Sequence, residues 1–215
     1  YSQFQGGWTS ITLDGGGDYG RQSAIALDLA NDKRPLICAV EDKKLSCWSL
    51  NGAGFWKKKE IDDLTDNPSQ YKGEINVAVN SKGEAFVLYY HEKSQALNLA
   101  ISSDKARQKW TTTEISKGGI YNSIVLASDG KPRVAIQREN KAYYGAQNPG
   151  GKWLFEAIDD GSGTPAPGAG IKLGLGTNNR PQVIYYKNGN LIHAVKASDS
   201  WGVAVIETVK VGSFS

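Results

Sequence analysis

Tryptophan recurs at nearly regular intervals along this chain, and that internal repeat constrains the fold more than any other sequence feature. The spacings are 48, 54, 43 and 48 residues, and the positions are Trp8, Trp56, Trp110, Trp153 and Trp201. Chains that repeat every 20 to 50 residues or so fold as solenoids, propellers or other arrays, because one repeat cannot bury its apolar face alone.

Each repeat reads as four short β-strands joined by turns. A Trp-led segment such as WKKKEID is followed by a glycine-containing loop and then by an alternating run (SAIALD, EINVAV, SIVLAS or GIKLGLG). The repeat continues with a turn and an apolar run (LICAV, FVLYY, RVAIQ or QVIYY). It ends with a second turn and a last run (LSCWSL, LNLAIS, AYYGAQ or LIHAVK). Alternation with a period of two and tight turns predict antiparallel meanders.

Four-stranded sheets of this kind must pack face to face to bury both of their faces. At a period near 48 residues, the architecture that achieves this is a β-propeller. We therefore predict an all-β fold, a β-propeller with four recognisable four-stranded blades, in a single domain that covers residues 1–215. The chain holds no methionine and begins at Tyr1, so we expect a processed chain or a piece of a longer protein.

Five Trp-led outer strands serve only four blades, so the N-terminal one, residues 8–14, is surplus. It could complete the blade formed by residues 170–197 and displace residues 201–209. Alternatively, its partners lie in sequence not present here or in a second copy of the chain, which would make the protein a homo-oligomer. The sequence leaves these alternatives open.

The repeat resembles one found in extracellular bacterial and archaeal β-propellers, with distant similarity to sialidase-like and lectin-like propellers. The shared pattern is S-[IL]-x-L-D-x-x-x-x-P-x-[IV]-x-Y, then L-x-x-A, then G-x-W-x-x-x-x-[IV]-D. A partial likeness to the sialidase-type turn motif S-x-D-x-G-x-x-W begins at Ser102, with Ala106 at the glycine position and Trp110 one residue too far. The resemblance implies the fold and leaves the function open, because propellers host many activities.

Charge and hydropathy exclude two classes of partner. The 25 basic and 22 acidic residues give a net charge of +3, and the basic residues are scattered, which argues against a nucleic-acid-binding protein. No apolar run approaches the roughly 18 residues that a membrane helix needs, so we expect no membrane insertion.

The two cysteines fall at positions that face each other across a hairpin. Aligned on the repeat, Cys38 takes the place of Ile184, and Cys47 takes the place of His193. A two-residue turn makes these positions a non-hydrogen-bonded pair with Cα atoms about 4.5 Å apart, close to the lower limit for a disulfide. We favour a disulfide over two buried thiols, and with it a secreted or cell-surface location.

Catalytic motifs are missing from the sequence. His91 and His193 are the only histidines, and no metal-ligand spacing, nucleophile elbow or phosphate-binding loop is present. Aspartates near strand ends could supply a carboxylate pair for glycoside hydrolysis, but aspartate at such positions more often caps a turn. These candidates are Asp62, Asp63, Asp66, Asp159 and Asp160. We predict a protein that is not an enzyme and has no cofactor or metal.

Binding has more support in the sequence than catalysis. The loops from each outer strand to the next inner strand share one face of a propeller, and three of the four carry a tyrosine, whereas the loop at 161–170 does not. Tyrosine rings stack on sugars and polar neighbours satisfy their hydroxyls. The predicted ligand-binding residues are Tyr19, Arg21, Tyr71, Lys72, Tyr121 and Asn122. The expected function is recognition or adhesion to glycans or cell-surface proteins; the alternatives are a sialidase-like hydrolase and a purely structural assembly module.

Overall fold

The computed structural model of the chain describes residues 2–4, 8–13, 19–67, 70–159 and 170–207. Two strands, β1 (Ser2–Phe4) and β2 (Trp8–Ser10), form a hairpin, and sixteen more form four sheets. Blade 1 comprises β3 (Tyr19–Asp28), β4 (Arg34–Glu41), β5 (Lys44–Leu50) and β6 (Trp56–Asp63). Blade 2 comprises β7 (Ile75–Val79), β8 (Ala85–His91), β9 (Ala96–Ser102) and β10 (Thr111–Lys117). Blade 3 comprises β11 (Asn122–Leu126), β12 (Pro132–Arg138), β13 (Lys141–Gln147) and β14 (Trp153–Ala157). Blade 4 comprises β15 (Ile171–Leu175), β16 (Pro181–Lys187), β17 (Asn190–Ala197) and β18 (Ser200–Glu207).

Every blade is an antiparallel meander in which neighbouring strands follow one another in sequence. The inner strands β3, β7, β11 and β15 pack in that order, so each blade stacks on the next. This arrangement confirms the all-β propeller fold with four four-stranded blades. In the described part of the chain, no helix is long and apolar enough to cross a membrane.

The apolar core is divided into three clusters, one at each junction between blades. Successive residues of β8 point to opposite faces, so Val87 joins the cluster toward blade 1 and Leu88 the cluster toward blade 3. Three of the recurring tryptophans, Trp110, Trp153 and Trp201, are half-buried against these clusters, as expected for structural aromatic residues.

The disulfide and its register are confirmed. Cys38 pairs with Cys47 across β4 and β5, just as Ile184 pairs with His193 in blade 4. The two Cα atoms are 4.1 Å apart and the sulfurs are bonded. Both cysteines are buried in the core between blades 1 and 2, so the bond lies inside a junction rather than on the surface.

Of the alternatives left open for the surplus strand, completion of the last blade is not the one that the described residues show. Strand β2, which contains Trp8, pairs with β1 instead. Strand β18 stays on β17, where Trp201 faces Lys196 and the turn between the strands spans only residues 198–199. A short local connection costs less chain entropy than recruitment of a strand from the opposite end of the chain, which explains the outcome.

The first and last blades each present an open face. Ile25 of β3 occupies the same position as Ile124 of β11, yet it is 56% exposed whereas Ile124 is 8% exposed. Ile184 of β16 is 43% exposed, whereas Ala135 at the equivalent position of β12 is fully buried. Within the described residues, β3 and β15 do not pack as successive inner strands do. We call these surfaces the leading face of blade 1 and the trailing face of blade 4.

Candidate functional site

Two of the loops that were predicted to share a face do meet. The backbone N–H of Glu74, just before β7, donates to the carbonyl of Ile120 at 3.0 Å. The N–H of Asn122, the first residue of β11, donates to Glu74 Oε2 at 2.9 Å. The start of the inner strand in blade 2 is therefore fixed to the start of the inner strand in blade 3.

Four polar side chains gather where the inner strands begin, and we call Glu74, Asn76, Asn122 and Lys172 the axial cluster. Asn76 Nδ2 donates to both Oδ1 and the carbonyl of Asn122, each at 3.0 Å. Glu74 Oε1 is 3.7 Å from Lys172 Nζ, which belongs to β15. Glu74 of blade 2 thus reaches both blade 3 and blade 4, which places it near the axis on which inner strands of a propeller converge.

The members of the axial cluster differ in their freedom to bind a ligand. Asn122 is fully buried, and its Nδ2 donates to backbone carbonyls, those of Glu74 and Gly119 at 3.2 Å. Its role is structural. Lys172 is exposed, and the Glu74 side chain keeps 20% of its surface accessible. Unlike Asn122, the charged pair is therefore accessible to a ligand.

Burial raises the pKa of Glu74 above its ordinary value. The hydrogen bond from the Asn122 N–H and the nearby Lys172 ammonium oppose this effect without cancelling it. A carboxyl group of this kind accepts and releases a proton closer to neutral pH than a surface glutamate does. Chemically, it can accept hydrogen bonds from hydroxyls or serve as a proton donor.

A shallow cavity of about 370 Å³ adjoins the cluster on the trailing face of blade 4. Its polar groups are Lys172, Gln182 and His193, and Gln182 Oε1 lies 3.1 Å from His193 Nε2. There is free space beside Gly174 in this cavity, because an added Cβ there would meet no atom within 4 Å. With Ile184 as an apolar wall, the cavity offers the mixture of surfaces that ligand sites combine.

Tyr71 is not an exposed platform, and this part of the predicted site is wrong. The ring is buried in the core between blades 1 and 2, and its hydroxyl donates to the carbonyl of Tyr90 at 2.6 Å. Burial raises its pKa well above the ordinary tyrosine value. Gly73 allows this close packing, because a Cβ there would lie 2.7 Å from Tyr90 Cβ.

The other predicted site residues differ in their location and exposure. Lys72 is exposed, whereas Tyr121 is half-buried against the core between blades 3 and 4. Tyr19 and Arg21 belong to β3, but their side chains, like residues 161–169, lie outside the described residues. Of the six predicted residues, only Asn122 belongs to the axial cluster, and it acts there through its backbone and its buried amide.

The aspartates considered as a catalytic pair connect blades instead. Asp62 accepts a 2.6 Å hydrogen bond from the Tyr89 hydroxyl and lies 3.9 Å from His91 Nε2, while Asp159 lies 3.2 Å from Lys187 Nζ. Each aspartate stands six residues after a recurring tryptophan and meets the last residue of the second strand in the next blade. These contacts are inter-blade links.

The remaining carboxylates fit the same structural interpretation. Asp63 and Asp66 share Lys93 at 2.8 and 3.3 Å, and Asp160 lies outside the described residues. At the junction of blades 2 and 3, Arg138 donates to Ser116 Oγ at 2.8 Å in the equivalent place. No group of three metal-ligating side chains was found in the described part of the chain.

Sequence reasoning missed Glu74, Asn76 and Lys172. Glu74 and Lys172 are 98 residues apart in sequence, and only the stacking of blades brings them together. A signal was available in the repeat, because Asn76, Ser123 and Lys172 occupy one aligned position and replace the apolar residue that a buried strand would carry.

No protein-family model and no curated protein matches the chain. Solved structures do resemble it. A bifunctional GH43-CE protein of Bacteroides eggerthii gives a TM-score of 0.53 at 12% identity over 88% of this chain and 28% of that chain. The NanB sialidase of Streptococcus pneumoniae gives 0.51 at 16% identity over 73% and 26%. An exo-β-1,3-galactanase of Phanerochaete chrysosporium, solved with galactose, gives 0.53 at 11% identity over 86% and 49%.

The chain spans only 28%, 26% and 49% of these three proteins, and at such identities the similarity shows the propeller fold alone. It nevertheless contradicts the prediction that the protein is not an enzyme, because the sialidase and the galactanase are enzymes built on this fold. The prediction rested on the missing motifs. Charged groups near a propeller axis come from separate strands, as Glu74 and Lys172 do here, so they leave no local motif.

Proposed function

We propose that this chain is a carbohydrate-binding β-propeller that works in an oxidising, extracellular setting, and that sugars bind at the axial cluster and the cavity beside it. The observation that carries the proposal is the position of Glu74, a partly exposed carboxylate that contacts blades 3 and 4 near the axis. Next to it, Lys172, Gln182 and His193 can exchange hydrogen bonds with sugar hydroxyls.

The extracellular setting is supported by the Cys38–Cys47 disulfide, because such bonds persist in oxidising compartments. It also fits the resemblance of the repeat to extracellular propellers. Adhesion to a cell-surface glycan or to a protein that carries one is the form of recognition that we propose.

Hydrolysis of a glycoside is the second candidate, and the raised pKa of Glu74 favours it. A general acid in glycoside hydrolysis has to keep its proton at a higher pH than a surface carboxyl does, and the burial of Glu74 shifts its pKa in that direction. The fold permits such an activity, since it is shared with named glycosidases.

The test is a glycan array probed with the wild type, Glu74→Gln and Lys172→Gln. Lys82→Gln is the matched control, because Lys82 is an exposed lysine on the turn between β7 and β8 and lies outside the cluster. We expect the wild type and the control to bind the same glycans, and Glu74→Gln and Lys172→Gln to bind them about tenfold more weakly, as expected when a charged hydrogen-bond partner is lost.

Each glycan bound on the array is then incubated with the wild type, and the release of reducing ends is measured. Hydrolysis that disappears in Glu74→Gln would establish the second candidate, and binding without release would leave recognition as the function. A wild type that binds no glycan, or variants that bind as well as the wild type, would refute the proposed site.

A further inference from the structure

The loop between β9 and β10 is longer than its counterparts in the other blades. It spans residues 103–110, whereas the equivalent connections span 51–55 in blade 1, 148–152 in blade 3 and 198–199 in blade 4. This is the segment in which the sialidase-type turn motif is interrupted by one extra residue. Insertions within one repeat map to loops on a single face, which is often a binding face.

The extra length folds back over blade 1 and is held there by hydrogen bonds. Asp104 accepts the backbone N–H groups of Ala106 and Gln108, each at 3.0 Å. Arg107 has a positive φ of 56°, a conformation that L-residues seldom adopt, and the Trp110 indole donates to its carbonyl at 3.0 Å. Strained backbone of this kind persists only where its surroundings fix it.

Arg107 is anchored by a buried ion pair. Its side chain is 4% exposed, and one guanidinium nitrogen donates to Asp28 Oδ2 at 2.6 Å. Asp28 ends β3, so the ion pair joins the loop of blade 2 to the inner strand of blade 1. The carboxylate of Asp28 is thereby neutralised.

A pocket of about 280 Å³ lies between this loop and two turns of blade 1. Its charged lining residues are Asp28, Arg34, Lys57, Lys105 and Arg107, and Asn31 and Asn51 add side-chain amides. Four cations therefore surround one carboxylate that is already paired. Arg34 also binds Asp32, at 2.9 Å, but among the described residues no carboxylate pairs with Lys57 or Lys105. The pocket keeps an excess of positive charge.

On the same face, the other two junctions have direct hydrogen bonds between the turns that follow their inner strands. Asn80 Nδ2 donates to the Gly130 carbonyl at 3.3 Å between blades 2 and 3, and Ser128 N–H donates to Asn179 Oδ1 at 2.8 Å between blades 3 and 4. Within the described part of the chain, only the junction between blades 1 and 2 combines an inserted loop, an open pocket and unpaired cations.

We propose that this pocket is a second ligand site, which binds the oxyanion group of a small ligand: a carboxylate, a sulfate or a phosphate. The ammonium groups of Lys57 and Lys105 at its mouth bind the anion, while Arg34 adds guanidinium N–H donors. Arg107 serves as a positioning residue that holds the loop in place. The site is on the opposite face of the propeller from the axial cluster and does not depend on it.

The experiment follows backbone amide chemical shifts during titrations with sodium sulfate, sodium galacturonate and neutral galactose, at an ionic strength held constant with sodium chloride. We expect both anions to give saturable shifts at Gly52 and Ala106, which line the pocket, and galactose to leave these amides unchanged. Tighter binding of galacturonate than of sulfate would identify a sugar acid as the ligand, and the reverse order would identify an inorganic anion.

The variant is Lys57→Gln with Lys105→Gln, and the control is Lys82→Gln with Lys131→Gln, which removes the same charge from exposed lysines in other turns. We expect the first pair to weaken binding of either anion about tenfold or more and the control to keep wild-type affinity. The absence of saturable shifts, equal binding by both double variants or an equal response to galactose would overturn the proposal. Shifts by galactose at Gly174 would report on the axial cluster, so the two proposals can fail separately.

Discussion

At the scale of single residues, the chain contains groups whose surroundings decide their chemistry. Glu74 and Glu139 have the same side chain, yet burial raises the pKa of Glu74, whereas Glu139 is exposed in a turn. Cys38 and Cys47 are bonded because a hairpin register places them opposite each other. Each of these features leads to a measurement on one or two substitutions.

The raised pKa of Glu74 gives fold stability a definite pH dependence. A carboxyl that binds its proton more tightly in the folded state stabilises the fold below its unfolded pKa, about 4.3, and that contribution is lost as pH rises through its folded pKa. Glu74→Gln cannot ionise, so we expect it to match the wild type in urea unfolding near pH 4 and to be more stable at pH 7. Glu139→Gln should track the wild type at both values, and a Glu74→Gln variant less stable at pH 7 would contradict this assignment.

Removal of the disulfide should lower the free energy of unfolding. The bond closes a loop with a sequence separation of 9, for which the loss of unfolded-state entropy corresponds to about 2 to 3 kcal/mol. We expect Cys38→Ala with Cys47→Ala to lose this amount in urea unfolding. Titration of the denatured, unreduced wild type should detect no free thiol, and two reactive thiols would rule the bond out.

At the scale of elements, local sequence determined most of what could be predicted. The pairing of Ile184 with His193 follows from the turn at Asn188 and Gly189, and the cysteine pair follows from the same register. The burial of Tyr71 could not be predicted, because it depends on how the loop before β7 packs between two blades. Contacts within a hairpin are encoded nearby in sequence, whereas contacts between blades are not.

Substitution by alanine should change the stability of the fold in different ways at two glycines that both lie inside strands. In β13, a Cβ at Gly145 would lie 2.5 Å from the Phe155 ring and 2.7 Å from Val134 Cγ2, whereas in β15 a Cβ at Gly174 would meet nothing within 4 Å. We expect Gly145→Ala to cost about 1 to 3 kcal/mol through overpacking. Gly174→Ala should be neutral or slightly stabilising in the same urea experiment. Equal effects would mean that β13 has room to shift.

At the scale of the whole molecule, the repeat predicted the number and order of blades, but it did not predict how the series ends. The sequence carried five Trp-led strands, and the hairpin of β1 and β2 accounts for the first of them. The open faces could not be inferred, because Ile25 and Ile124 occupy the same position in the repeat and differ only in having a blade in front of them. The axial cluster was missed for the same reason, as its members come from three blades.

Polar substitution on the leading face of blade 1 should reduce self-association at little cost in stability. Ile25 and Leu27 are more than half exposed, and contiguous exposed apolar side chains promote association. We expect Ile25→Thr with Leu27→Thr to leave the melting temperature nearly unchanged and to lower the apparent mass in light scattering at high protein concentration. Ile124→Thr, at the buried equivalent of Ile25, should destabilise the fold. A lower melting temperature for the first variant would show that its face is covered.

A row of blades with two open faces also has a gradient of local stability. Among the blades that the structure describes, β8 and β12 have a blade on both sides, whereas β4 and β16 each have one on a single side. In linear arrays each unit gains stability only from its nearest neighbours, so the outer units open more often than the inner ones. Native-state hydrogen exchange should therefore be slowest in β8 and β12 and faster in β4 and β16, although all four are the second strand of their blade. Such a chain would melt from its ends toward its middle, as a closed ring cannot.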